Sequence, residues 1–232
     1  MKRSVLSLGV VVGLISGSAL ANDFSVNVGA IGVMPDDSSS SLNVVETVAG
    51  LEQNSTGVGV NTNTQLGITF DYALDKNWTI ELVAATPFSH DISGTGSLAG
   101  VSIGNTKHLP PTLLGQYHFD IGYDSVRPFI GLGVNYTAFF DDQVSPAVKG
   151  LLVDTGVATE SDDVDLALEN SWGVAYQAGV NVSLTKDWGV HFMVSKMDID
   201  STGDVRLNGA TIESVDVQID PVVAMLGVRY TF

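Results

Sequence analysis

Val222-Val223-Ala224-Met225-Leu226-Gly227-Val228-Arg229-Tyr230-Thr231-Phe232 places an apolar or aromatic side chain at every even position. Successive side chains of an extended strand face opposite sides. Val222, Ala224, Leu226, Val228, Tyr230 and Phe232 therefore share one face, and Arg229 lies on the other. An alternating strand that closes on Tyr230 and Phe232 is read as the signal by which barrel-assembly machinery recognises outer-membrane proteins. The same alternation recurs upstream. In Ser171–Leu184, Trp172, Val174, Tyr176, Ala178, Val180, Val182 and Leu184 fall on one face, opposite Gly173, Gln177, Asn181 and Ser183. The two faces of one strand meet different solvents.

Period-two alternation predicts eight strands: Phe24–Met34, Thr62–Leu74, Trp78–Phe88, Leu109–Phe119, Val126–Phe140, Ser171–Leu184, Trp188–Ile199 and Ser214–Phe232. Asp75-Lys76-Asn77, Asp120–Ser125 and Thr185-Lys186-Asp187 are short connections, whereas Pro35–Asn61, Ser89–His108, Asp141–Asn170 and Asp200–Glu213 are long. Long and short alternate strictly, so all long loops fall on one side. Compact soluble domains rarely spend so many residues on structureless loops, whereas outer-membrane barrels do so routinely. The fold expected is all-β: an eight-stranded antiparallel up-and-down transmembrane β-barrel with short periplasmic turns and long extracellular loops.

Aromatic placement agrees. Tyr72, Trp78, Tyr117, Phe119, Trp188, Tyr230 and Phe232 lie beside the short turns or at the end of the last strand, where a periplasmic girdle belongs. Tyr136, Phe139 and Phe140 are assigned to the outer girdle.

Residues 1–21 read as a secretory signal peptide, leaving 22–232 as one barrel domain. Lys2 and Arg3 form the positive start, Val5–Ile15 the apolar run, and Ala19-Leu20-Ala21 the cleavage site. The apolar run is too short to span a bilayer. Across 232 residues, 10 Lys and Arg face 26 Asp and Glu, for a net charge of −16. That sign disfavours nucleic acid and anionic lipid headgroups as electrostatic partners. Cysteine is absent, which excludes disulfides and thiolate metal clusters. Only 16% of residues are charged while 44% are hydrophobic, a balance that fits apolar outer surface.

Several stretches resemble the OmpW/AlkL-like family of small outer-membrane barrels. They are NTQLG at Asn63–Gly67, ELVAATPF at Glu81–Phe88, HLPPTL at His108–Leu113 and RPFIGLGVNYTAFF at Arg127–Phe140. SWG at Ser171–Gly173, MDID at Met197–Asp200 and Asp220-Pro221 follow in family order. The resemblance implies an eight-stranded barrel in the outer membrane with both termini in the periplasm. It also implies passage of small hydrophobic molecules, with some members exploited as phage or colicin receptors.

With Phe232 toward lipid, strand parity assigns the opposite faces to the lumen. Its polar members are Gln65, Asp71, Glu81, Gln116, His118, Arg127, Asn135, Gln177, Asn181, His191 and Arg229. Glu81, Arg127 and Arg229 are expected to offset one another in a charge network that holds register. Parity also turns Ile31, Val33, Val83, Ala85, Leu114, Phe129, Met193, Met197, Val223 and Met225 inward. These apolar residues predict a solute path: a packed mid-barrel floor below an apolar funnel, with lateral exit to the bilayer. The rival reading is core packing in a sealed barrel whose loops act as receptor, adhesin or envelope anchor, since eight strands enclose little more than side chains. Both stay open. A soluble lipocalin-like carrier is disfavoured, because the face bearing Val190, Phe192 and Val194 is too apolar for water.

Pro87 and Pro221 lack a ladder donor and mark strand ends or a local gap in the wall. The loops are acidic. Asp162-Asp163 ahead of Val164, Leu166 and Leu168 predicts a short capped helix in the third loop. The acidic spacing matches no calcium loop, so solvated surface is expected, although lipopolysaccharide could be bridged there by divalent cations. No metal or cofactor is expected. His90 and His108 fall in or beside the second loop, but no Gly-x-Ser-x-Gly elbow or His-Glu-x-x-His helix occurs. Neighbours such as Ser89-His90-Asp91 on an extended chain point opposite ways, so a non-enzymatic protein is expected. Expected partners are outer-membrane lipid and lipopolysaccharide, small hydrophobic solutes and the assembly machinery.

Overall fold

A computed structural model describes residues 23–232, so the signal-peptide reading of residues 1–21 lies outside the described residues. β1 (Phe24–Met34) leads into a connection holding β2 (Ser38–Ser39), α1 (Asn43–Ala49) and β3 (Thr56–Val60). The hairpin β4 (Asn63–Ala73) and β5 (Trp78–Ala85) is followed by a second, β6 (Phe88–Gly96) and β7 (Ser102–Leu109). β8 (Thr112–His118) returns to the turn side, and β9 (Val126–Val144), 19 residues long, climbs from there into the loop side. Then come α2 (Pro146–Asp154), β10 (Val164–Leu168), β11 (Ser171–Ser183), β12 (Trp188–Met197), β13 (Asp200–Leu207), β14 (Ala210–Gln218) and β15 (Val222–Thr231).

Eight of these strands close on themselves in the order β11-β12-β15-β1-β4-β5-β8-β9, and the β9–β11 ladder from Ser171↔Thr137 to Val182↔Val126 completes the ring. Closure leaves the barrel no free edge. The outward face is an apolar belt that includes Leu66, Leu82, Leu113, Leu132, Leu226 and Val228, all exposed. Hydrocarbon, which is as apolar as these side chains, accounts for that exposure. On the turn side Trp78, Tyr117 and Phe119 contact one another in sequence, as do Trp188, Tyr230 and Phe232, with Phe24 against Phe232. On the loop side Tyr136 packs on Trp172, which is 73% exposed.

Two of the three short turns are built alike. In one, Asp75 accepts from the backbone N–H groups of Asn77 and Trp78; in the other, the Thr185 hydroxyl accepts from those of Asp187 and Trp188. Each side chain substitutes for a turn carbonyl.

The long loops depart from expectation: they fold into a cap. β7 pairs with the outer half of β9, β6 with β7, and β3 with β6. A separate sheet runs β10-β13-β14-β2. The cap has its own apolar residues, among them Leu42, Leu98, Ile103, Val148, Leu152 and Val205. Even an acidic residue is drawn in: Glu46 is buried, accepting from the N–H groups of Asn54, Ser55 and Thr56 and from the Thr56 hydroxyl.

Five expectations need correction. The segment Ser214–Phe232 is not one strand: β14 and β15 are parted at Asp220, whose φ is 33°, before Pro221. Phe88 belongs to β6 rather than closing β5, and Leu109 closes β7 rather than opening β8, since Pro110 and Pro111 have no N–H to donate. Val164–Leu168 forms β10, not a helix. The third-loop helix is α2, capped by the Ser145 hydroxyl accepting from the N–H of Val148. Phe139 does not face lipid; β9 parity turns it inward, over His108.

Candidate functional site

The lumen is polar toward the turn side and mostly apolar toward the cap, and single strands show the gradient. β5 carries Glu81 then Val83, β12 carries His191 then Met193, and β1 carries Asn27 then Ile31, all buried.

Two hydrogen-bonded groups fill the lower lumen. Arg229 pairs with Asp71, and donates to Asn27 Oδ1 at 3.2 Å and Ser25 Oγ at 2.9 Å. Glu81 Oε2 accepts from Gln116 at 2.8 Å and Gln177 at 2.7 Å, with Glu81 Oε1 lying 3.7 Å from His191 Nε2. Phe129 sits between His118 and His191, its ring 5.1 Å and 5.7 Å from theirs. The three-way network expected of Glu81, Arg127 and Arg229 does not form. Strand order explains why: from Arg229 on β15 the path crosses Asn27 on β1 and meets Asp71 on β4 before it can reach Glu81 on β5. Arg127 turns away and donates to the Lys76 carbonyl at 2.5 Å.

The residues assigned to the solute path lie above this floor, except Phe129, which is part of it. Ile31, Val33, Val83, Leu114, Phe129, Met193, Met197 and Met225 all point inward and belong to one buried apolar cluster. Val33 also lines open space. The other seven pack the barrel, as expected for a ring of eight strands. Asn135, Thr112 and Thr137 interrupt this apolar layer as a hydrogen-bonded trio.

Where barrel and cap meet there is a cavity of about 40 Å³ lined by Val33, Pro35, Val58, Val60, Ile92, Leu168, Ile199, Val217, Ile219 and Pro221. His90, Thr106, His108, Thr137 and Phe139 complete the lining. Most of these residues come from segments read as loops, so the lining was missed. One signal existed: Val215, Val217 and Ile219 alternate with Asp216, Gln218 and Asp220, the pattern of a strand whose outer face meets water.

His90 and His108, which the sequence placed near one another, meet with ring centroids 4.9 Å apart. Both lie in the cap, outside the membrane belt. Burial pushes His108 down to about 3, helped by neighbouring His90, and burial also lowers His90. Both rings are therefore neutral at physiological pH.

The wall is interrupted near this level between β5 and β8. The β5–β8 ladder runs from Trp78↔Tyr117 to Val83↔Thr112 and stops. Pairing resumes only at Phe88↔His108 in the cap. Pro87, Pro110 and Pro111 flank the gap, three residues without a donor to close it.

A closed eight-stranded barrel with an apolar belt, aromatic ends and a filled polar lumen is an integral outer-membrane architecture. The OmpW family model matches residues 21–232, and the chain belongs to that family, which places it in the outer membrane. It is 38% identical over 237 residues to outer membrane protein W of Vibrio cholerae, covering 100% of both chains. The crystal structure of the outer membrane protein OprG from Pseudomonas aeruginosa superposes with a TM-score of 0.76 at 38% identity, covering 91% of this chain and 96% of that one. A more distant Pseudomonas aeruginosa relative, named dibenzothiophene metabolism operon protein PahQ, is 25% identical over 170 residues, covering 73% of this chain and 72% of its own.

Proposed function

We propose that this barrel gives small apolar molecules a passive route through its cap and sideways into the outer membrane. The observation that carries the reading is the order of the layers. An apolar cavity lies above a floor closed by hydrogen-bonded polar side chains, and the strand ladder is interrupted near the level of the cavity. A solute that reaches the cavity meets a filled barrel below it, and on this reading it leaves for lipid through the gap between β5 and β8. Transfer from water to hydrocarbon supplies about 0.8 kcal/mol per CH₂, so no energy source is needed. The cavity holds only the leading end of a solute, and entry requires the cap strands above it to part. The name of the PahQ relative, tied to metabolism of an apolar aromatic compound, agrees with this substrate class.

The test compares uptake of an apolar and a polar solute of similar size, in cells lacking the protein and in cells making it. Selective gain for the apolar solute is expected, and Ile199→Asp or Val217→Asp, each placing a charge in the cavity lining, should remove most of it. Equal uptake with and without the protein would leave a sealed barrel, and the cap as receptor or adhesin would become its function.

A further inference from the structure

Burying a polar atom without a partner costs roughly 1–3 kcal/mol, so such atoms are rare and call for a reason. Here two occur side by side in a mostly apolar chamber. His90 Nε2 and His108 Nδ1 are buried and find no hydrogen-bond partner among the described residues. Both rings line the cavity.

Their protonation follows from their neighbours. His90 Nδ1 lies 2.6 Å from the Asn61 carbonyl oxygen, so that nitrogen carries the proton and Nε2 presents a bare lone pair. His108 is held by aromatic rings on more than one side, with Phe88 at 5.3 Å and Phe139 at 5.7 Å. As a neutral imidazole it offers one donor and one acceptor. The other polar groups of the lining have already given their protons: Thr106 donates to Asp142 at 2.5 Å and Thr137 to Asn135 at 2.7 Å. The nearby cation Lys107 is bound to Asp141 at 2.6 Å. The chamber thus offers unmet imidazole nitrogens and no free positive charge.

We infer that the cavity selects apolar molecules carrying one un-ionised hydroxyl, with His90 and His108 receiving that group. Aliphatic alcohols, phenols and undissociated carboxylic acids share this chemistry. A hydrocarbon leaves both imidazole nitrogens unmet. A carboxylate brings a charge that a neutral pair cannot balance. The cavity's size suits the hydroxyl end of such a molecule, with its chain trailing toward the cap. This inference rests on the transport reading above, and names the substrate class for the same chamber.

The experiment uses the full protein in lipid vesicles with n-octanol and n-octane as probes. Entry rates are measured for the wild type, His90→Phe and His108→Phe, and imidazole nitrogen chemical shifts are followed in the wild type. The wild type should favour octanol over octane, relative to protein-free vesicles, by about fivefold, the scale of one net hydrogen bond. His90→Phe should abolish that preference, and octanol, unlike octane, should move the His90 Nε2 resonance of the wild type. Octane entry with no octanol preference and no resonance shift would overturn the inference while leaving transport intact. Entry of neither probe would refute the transport reading alone. The resonance then decides: a shift with octanol sustains the hydroxyl site, and its absence removes it.

Discussion

The lower lumen and the chamber above it share only β1 and β9, the rest of the chamber coming from the cap, and they solve opposite problems. Below, Asp71, Asn27, Ser25 and Arg229 satisfy one another, and Glu81 is held by Gln116 and Gln177. Above, apolar residues surround two imidazole nitrogens that nothing satisfies. Polar groups that bond one another fix a single arrangement and close the barrel, whereas unmet ones among apolar walls leave the chamber ready to receive. Both regions hold unmet buried atoms, Glu81 Oε1 and His191 Nε2 below and the two imidazole nitrogens above; what differs is the surroundings, a bonded polar network below and apolar walls above.

If the network of mutual bonds is what closes the floor, removing one partner should hurt more there than anywhere above. Asp71→Ala leaves Arg229 facing a low-dielectric interior without its counter-charge, and should cost about 3 kcal/mol in urea unfolding from vesicles. Replacing both partners with apolar residues, Asp71→Leu with Arg229→Met, should recover most of that loss. A single variant as stable as the wild type would show that the pair does not hold the floor.

The chamber should respond to acid instead. His108 has a folded value of about 3 against an ordinary 6.5. Between those limits the unfolded segment binds more protons than the folded one, so stability rises with pH and is lost on acidification. Moving from about pH 7.5 to about pH 4.5 should cost the β6–β7 hairpin about 2 kcal/mol, read as faster hydrogen exchange around His108. His108→Phe should remove its share of this pH dependence. An unchanged profile in that variant would mean that His108 does not titrate on opening.

Much of the barrel was legible because its rule is local. Period-two alternation returned β1 at Phe24–Met34 and put the inward residues of β12 and β15 on the right face. What failed was whatever depends on distant partners. Arg229 finds Asp71 only because β1 brings them across 158 positions of sequence. The chamber draws Val33, Val58, Leu168, Ile199 and Val217 from segments with no local sign of convergence. Phe139 was misplaced although parity already turned it inward, since its position near a strand end outweighed its alternation. The cap escaped because long acidic connections were equated with solvated loops, and the apolar residues scattered in them were not counted as a core.

That separate core makes the cap a unit whose stability can be lowered without touching the floor. Ser145 is the place to do so. Its hydroxyl accepts from the N–H of Val148 at the start of α2 and donates to the Ser102 carbonyl, joining the helix to β7. Ser145→Ala removes both bonds and should cost about 1 kcal/mol, the usual loss for a helix N-cap. Exchange should quicken in α2 and β7, with β5 and β12 unchanged. The consequence for transport runs against intuition. If entry requires the cap to part, a cap loosened by this amount should pass apolar solutes faster, not slower. Slower uptake by an intact barrel would mean that the chamber needs its cap closed to hold solute, and the route would have to be redrawn with closure as its productive step.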